Sequence, residues 1–277
     1  MQTQSKFGWM ARTGYSARGI VFVLIAALAL ASGIAGGQPD TQSAFRALLS
    51  QPFGRVWIGL VGLGLAGFVI WRLAQSLANA DGQDDDAKGY LIRAALFGSA
   101  ITYAGLAVTA LTLALQLGGD SGSGGERGLA AWIMAQPFGR YLAGLIGLGF
   151  MIGGAVTAAK GIKRSFGKYL DLDANRNTPA VLISIYGLVA RGVVFAIIGA
   201  FFVYAAFKID PGQAGGMAEA LAWVRQLPFG GVIYGIVALG LGAFGLYNFV
   251  EARYRRIRTP SAGDLRQELM PQRPGLL

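Results

Sequence analysis

The stretch Gln51-Pro52-Phe53-Gly54-Arg55 returns as Gln136-Pro137-Phe138-Gly139-Arg140. With its two ends changed it returns again as Leu227-Pro228-Phe229-Gly230-Gly231, and each copy stands directly before a long apolar run. Proline at the first position of a helix loses no hydrogen bond, because its missing N–H would be unpaired there, and its fixed φ suits the helix. The tripeptide therefore reads as a helix-start device used three times, with Pro52, Gly54, Pro137, Gly139, Pro228 and Gly230 as structural residues. Glycines follow each copy in step: Gly59, Gly144 and Gly235, then Gly64, Gly149 and Gly240.

A second motif recurs in the intervening apolar runs. GYSARGIVF (Gly14 to Phe22), GYLIRAALF (Gly89 to Phe97) and GLVARGVVF (Gly187 to Phe195) share a glycine, an arginine four residues later and a phenylalanine four after that. Between this motif and each PFG lies a short stretch, TQSAFRALLS, RGLAAWIMA or MAEALAWVRQ, whose apolar residues recur at helical spacing. These predict half-buried amphipathic helices at the outer membrane surface.

Composition sets the environment. Hydrophobic residues make up 54% of the 277-residue chain and charged residues only 14%, whereas a soluble domain carries about a quarter charged residues. Six runs approach the ~20 residues that cross a bilayer: roughly Arg18 to Ala35, Phe53 to Leu77, Arg93 to Leu117, Phe138 to Ala159, Arg191 to Phe207 and Phe229 to Val250. A cleaved leader is the competing reading of the first run. It is disfavoured because ARGIVF (Ala17 to Phe22) reappears as ARGVVF (Ala190 to Phe195) deep in the chain.

The expected fold is all-α: six transmembrane helices as three parallel repeats of a helical hairpin, with surface helices before the second, fourth and sixth spans. The repeats run over residues 1–80, 81–168 and 169–254, followed by a basic cytoplasmic tail, 255–277. Parallel repeats are related by an axis along the membrane normal, so a pseudo-threefold arrangement is expected, with a row of hairpins as the alternative.

The net charge is +10. Eighteen of the twenty-four Lys and Arg fall in the tails and the second and fourth connections, with the helix ends bordering them. By the positive-inside rule the N- and C-termini face the cytoplasm. The tail EARYRRIRTPSAGDLRQELMPQRPGLL begins with four basic residues in eight, which fits anionic headgroups better than nucleic acid.

With neither Cys nor His in the chain, disulfides, thiolate or imidazole metal sites and His-based triads are excluded. GLGLAG (Gly62 to Gly67) and GLGAFG (Gly240 to Gly245) have dinucleotide-loop spacing but lie inside apolar helices rather than after a strand; helix packing explains them better. GDSGSGG lacks a histidine base, and DGQDDD (Asp81 to Asp86) lacks calcium-loop spacing and reads as a solvated acidic linker. No Asp or Glu interrupts a span, which argues against a proton-coupled pump.

The threefold G-x-x-x-R and PFG pattern resembles the bacterial membrane family known as domain of unknown function 1206, over about Phe7 to Tyr254. That resemblance implies an integral protein of the bacterial inner membrane built from three two-helix units. It carries over no catalytic residue.

The expected function is a non-enzymatic membrane scaffold or lipid-interacting protein without cofactor or metal, the alternative being a channel or facilitator for a small, anionic solute. Expected partners are membrane lipids with anionic headgroups, and a membrane protein or second copy of the chain; nucleic acid is not expected. Arg18, Arg93 and Arg191 are the candidate binding residues. Each either reaches lipid phosphates to pin its helix or joins the others near one axis as an anion or headgroup site, for which the permanent charge and forked donors of arginine are suited.

Overall fold

The computed structural model describes residues 2–35, 41–116, 138–170, 178–208 and 217–255. Among them the regular structure is helical: α1 (Gln2–Ala35), α2 (Thr41–Leu49), α3 (Gly54–Leu77), α4 (Ala87–Leu115), α5 (Gly139–Ile162), α6 (Thr178–Lys208), α7 (Met217–Gln226) and α8 (Gly230–Tyr254), with a 3-10 turn at Ser165–Tyr169. An isolated bridge joins Leu170 to Arg255. Six of the helices are long and apolar enough to cross a membrane, so the chain is a multi-pass, all-helical membrane protein. The surface helices expected first and third are α2 and α7, which bury Ala44 and Phe45, and Leu221 and Val224, while Arg46 and Arg225 stay exposed. The middle one, the loop from Gly118 to Gly128 and the tail beyond Arg255 lie outside the described residues.

PFG starts helices by a different device from the one expected. The first helical residues are Gly54, Gly139 and Gly230, not the prolines. Phe53, Phe138 and Phe229 are the N-caps and hold left-handed backbone, φ 59°, 62° and 59°. Gly54 N–H donates to the Gln51 carbonyl at 2.9 Å, and Gly230 N–H to that of Leu227 at 2.7 Å. The motif is thus a tight turn with proline second and a positive φ third. Glycine does not occupy the left-handed position, although a left-handed L-residue costs roughly 1–2 kcal/mol. It stands one residue later because a Cβ there would strike the carbonyls of Leu48 and Leu49, or of Val224 and Arg225. The phenylalanines are 81%, 81% and 86% exposed, which places their rings outward at the level where aromatics favour the membrane interface.

Helix neighbours follow one order: α4, α3, α1, α8, α6, α5. The second long helix of each repeat packs on the first of the next, α3 on α4, α5 on α6 and, around the molecule, α8 on α1. Within repeats 1 and 3, α1 packs on α3 and α6 on α8. Within repeat 2, α4 and α5 make no extended contact among the described residues. These contacts do not close into a threefold ring.

The difference has a local cause. In repeats 1 and 3 a glycine of the first helix meets a phenylalanine of the second: a Cβ on Gly14 would lie 2.6 Å from the Phe68 backbone nitrogen, and one on Gly187 would strike the backbone of Phe244. Counting from the PFG, the counterpart of Phe68 and Phe244 in repeat 2 is Gly153. A Cβ on Gly153, or on Gly149 one turn away, would meet nothing within 4 Å. Gly149 is therefore not a contact between helices among the described residues. A Cβ on Gly144 would meet the Cβ of Ala206 at an ordinary 3.6 Å.

The arginines do not mark the starts of their helices: α1 begins at Gln2 and α6 at Thr178, well before Arg18 and Arg191. Measured from the far ends, Arg18 is seventeen residues from Ala35, Arg191 seventeen from Lys208, and Arg72 eighteen from Gly54. At 1.5 Å per residue that is about 26 Å, so all three lie at one level, near one boundary of a hydrocarbon core about 30 Å thick.

Candidate functional site

Three guanidiniums and the rings between them form the polar centre of the molecule. Arg18 is 2% exposed. Its guanidinium carbon lies 5.8, 5.1, 5.1 and 4.9 Å from the ring centres of Phe22, Phe68, Tyr103 and Phe244. Arg191 sits 4.2 Å from Phe195 and 4.6 Å from Phe244. Arg72, which was not among the expected site residues, sits 4.8 Å from Phe68. Arg18 therefore shares Phe68 with Arg72 and Phe244 with Arg191. Edge contacts, Phe22 to Phe244 and Phe68 to Tyr103 at 4.8 Å each, hold the rings in place.

Such pairs stabilise a desolvated cation by about 0.5–2 kcal/mol each, but they use the faces of rings and leave the N–H donors unbonded. Arg18 Nε and Nη2, Arg72 Nε and Arg191 Nε are buried without a hydrogen-bond partner. Buried donors on a cation cost more to leave unpaired than neutral ones, and like charges sharing ring neighbours repel. The arrangement leaves cationic donors in want of an acceptor.

Arg93 does not join it. Its Nε donates to the Ser76 carbonyl at 2.8 Å and its Nη2 to that of Leu77 at 3.2 Å, while Ser76 Oγ donates to the Arg93 carbonyl at 2.8 Å. It satisfies the last carbonyls of α3, as basic side chains do at helix C-termini.

Towards the helix ends nearest Arg255 the cluster continues as an ionic network. Arg72 Nη1 donates to Gln75 Oε1 at 3.1 Å, and Gln75 Nε2 to Asp81 Oδ2 at 2.5 Å. Arg255 Nη2 reaches both Asp81 oxygens, at 3.1 and 3.0 Å, and its Nη1 reaches Glu251 Oε1 at 2.5 Å. All three side chains are at most 10% exposed. Burial alone would lower the Arg255 pKa, but Tyr15, Glu251 and Asp81 outweigh it and hold the guanidinium well above its usual value. Two expectations are corrected here. Asp81 is not part of a solvated linker, and the linker's last residue, Asp86, caps α4 by accepting from Gly89 N–H at 2.6 Å. Arg255, the first residue assigned to the basic tail, is a buried ion-pair partner.

A scan against family models matches residues 13–79, 94–164 and 186–255 to a single model, described as Domain of Unknown Function. The chain belongs to the DUF1206 family. The three DUF1206 segments are the three repeats, and they include Arg18, Arg72, Arg191 and Arg255, while Arg93 falls one residue before the middle segment. The chain is also similar to a Bacillus subtilis (strain 168) protein named Uncharacterized protein YxxB, 33% identical over 251 residues that cover 89% of this chain and 90% of that one. No solved structure matches the chain. Neither name carries an activity, so the reading of this DUF1206 protein rests on its site.

Proposed function

We propose that this DUF1206 protein is a non-enzymatic membrane scaffold that binds anionic lipid, set in the bacterial inner membrane with both termini in the cytoplasm. The observation that carries this is the set of guanidiniums of Arg18, Arg72 and Arg191, held at one membrane level with buried donors unbonded. Ionisable residues inside spans are costly and mark functional sites by default. Four rings within 6 Å fix the Arg18 guanidinium in place, which favours holding an anion over passing one. The chain has no His or Cys to serve as base or nucleophile.

Native mass spectrometry of the detergent-purified protein, titrated with phosphatidylglycerol and phosphatidylcholine, tests the binding. Phosphatidylglycerol is expected to bind at least tenfold tighter, and Arg191→Gln to remove most of that preference. Equal retention of both lipids by the native chain would end the reading. Orientation is tested separately with reporters inserted at Gln83 and Ser50, expected to report inside and outside; the reverse pattern would invert the topology.

A further inference from the structure

Repeat 2 presents a helix-packing surface without its helix. Gly149 and Gly153 of α5 stand where Gly64 and Phe68 pack in repeat 1, and Gly240 and Phe244 in repeat 3, yet among the described residues nothing comes within 4 Å of a Cβ built on either. Beside them Leu148, Ile152 and Val156 are 50%, 60% and 48% exposed.

Both walls of this seam touch the cationic cluster. On the α4 side, Tyr103 is one of the rings around Arg18. On the α5 side, Phe150 packs 5.5 Å from Phe195, the ring that carries Arg191 at 4.2 Å. Arg18, almost wholly buried and with two donor nitrogens unbonded, supplies the charge for a ligand there.

The levels also agree. Gly153 is one helical turn from Thr157, the position in repeat 2 that corresponds to Arg72, and Gly149 is a turn further in. A headgroup at the arginine level would therefore lay its chains along Gly153 and Gly149, within the same leaflet.

We infer that the seam between α4 and α5 is a lateral binding site for an anionic phospholipid, whose phosphate is held by Arg18 and Arg191 while an acyl chain fills the groove over Gly149 and Gly153. This rests on the anion-binding reading above and adds the route and the chain site. A free phosphate would use the same guanidiniums but has no use for an apolar groove. A second copy of the chain seated on the seam would cover the groove without needing the charge.

The test restores the missing ring. Gly153→Phe gives repeat 2 the phenylalanine its sister repeats have. It is expected to lower phosphatidylglycerol affinity at least tenfold in native mass spectrometry while leaving the weaker competition by inorganic phosphate unchanged. If Gly153→Phe binds phosphatidylglycerol like the native chain, the seam inference is wrong and the anion site stands. If the native chain shows no preference for phosphatidylglycerol over phosphatidylcholine, the anion reading itself falls. If the lipid effect instead tracks a shift from monomer to dimer in the same spectra, a second copy is the occupant and the inference is overturned.

Should Gly153→Phe fail to fold, the native protein in phosphatidylglycerol vesicles carrying an acyl-chain photocrosslinker decides. Adducts concentrated on residues 145–156 of α5 and 100–111 of α4 support the inference, and adducts spread evenly over the outer faces of all six long helices overturn it.

Discussion

Arg255→Leu should destabilise the protein by about 3–5 kcal/mol, the usual cost of removing one partner of a buried ion pair. Arg255 joins two carboxylates from distant parts of the chain, Asp81 after α3 and Glu251 on α8. Without it both acids are left nearly buried with their main counter-charge gone, and Gln75 Nε2, which donates to Asp81, holds an anion with nothing opposite. The guanidinium also lies 5.3 Å from Tyr15 and 5.8 Å from Trp71, so a shape-filling leucine recovers some packing but none of the charge. Thermal unfolding in detergent, followed by tryptophan fluorescence, should show a fall of about 10 °C or more. A triple variant, Arg255→Leu with Asp81→Asn and Glu251→Gln, should recover most of that loss, since neutral polar groups cost less to bury unpaired than charges. A fall of under about 2 °C for Arg255→Leu would mean that the network contributes no net stability and that solvent reaches it.

The architecture was legible because three features repeated. The apolar runs, the PFG turns and the G-x-x-x-R motif each fix a helix and its direction, and six such helices appear where they were expected. Helix order was less legible. Whether two helices touch depends on single positions such as 68, 153 and 244, where a phenylalanine against a glycine makes a contact and a second glycine leaves none. Repeat counting aligned these positions, but it gave equal weight to every copy, and the one substitution that opens repeat 2 sits in an otherwise conforming glycine series.

Part of the arginine cluster was legible as well. Arg18 and Arg191 converge as the anion-site alternative required, because each has a phenylalanine four residues on and both share Phe244. Arg93 has the same local motif and goes elsewhere, since α3 ends beside it with carbonyls to satisfy. Arg72 was overlooked because it belongs to no repeated motif: its counterparts are Thr157 and Asn248. The available signal was its solitude, one cation in the apolar stretch Phe68 to Ala74, four residues from the phenylalanine it covers. Asp81 and Arg255 are 174 residues apart, and no local pattern joins them.

Arg18→Leu should weaken phosphatidylglycerol binding about a hundredfold while leaving the stability of the lipid-free protein within about 1 kcal/mol of native. The loss of binding follows from the hydrogen bonds a phosphate would accept there. A hydrogen bond to a charged group contributes about 1.5–3 kcal/mol, and 1.4 kcal/mol is tenfold in affinity. The stability result follows from opposing terms. Leucine forfeits the attraction to four rings, each worth about 0.5–2 kcal/mol when desolvated. It also removes the cost of two buried unbonded donors and the repulsion from Arg72 and Arg191, which at an effective dielectric near 20 and separations below ~10 Å is about 2 kcal/mol per pair. A residue kept for packing would show the reverse: a large loss of stability and lipid binding that falls only as the fold does. Arg18→Lys separates the two further, because it keeps the charge and the stem but not the fork of donors, and should bind phosphatidylglycerol at an intermediate level. If Arg18→Leu melts several degrees lower and its remaining folded fraction binds lipid as the native chain does, Arg18 is a structural cation caged by aromatic rings, and the anion site must be sought at Arg72 and Arg191 without it.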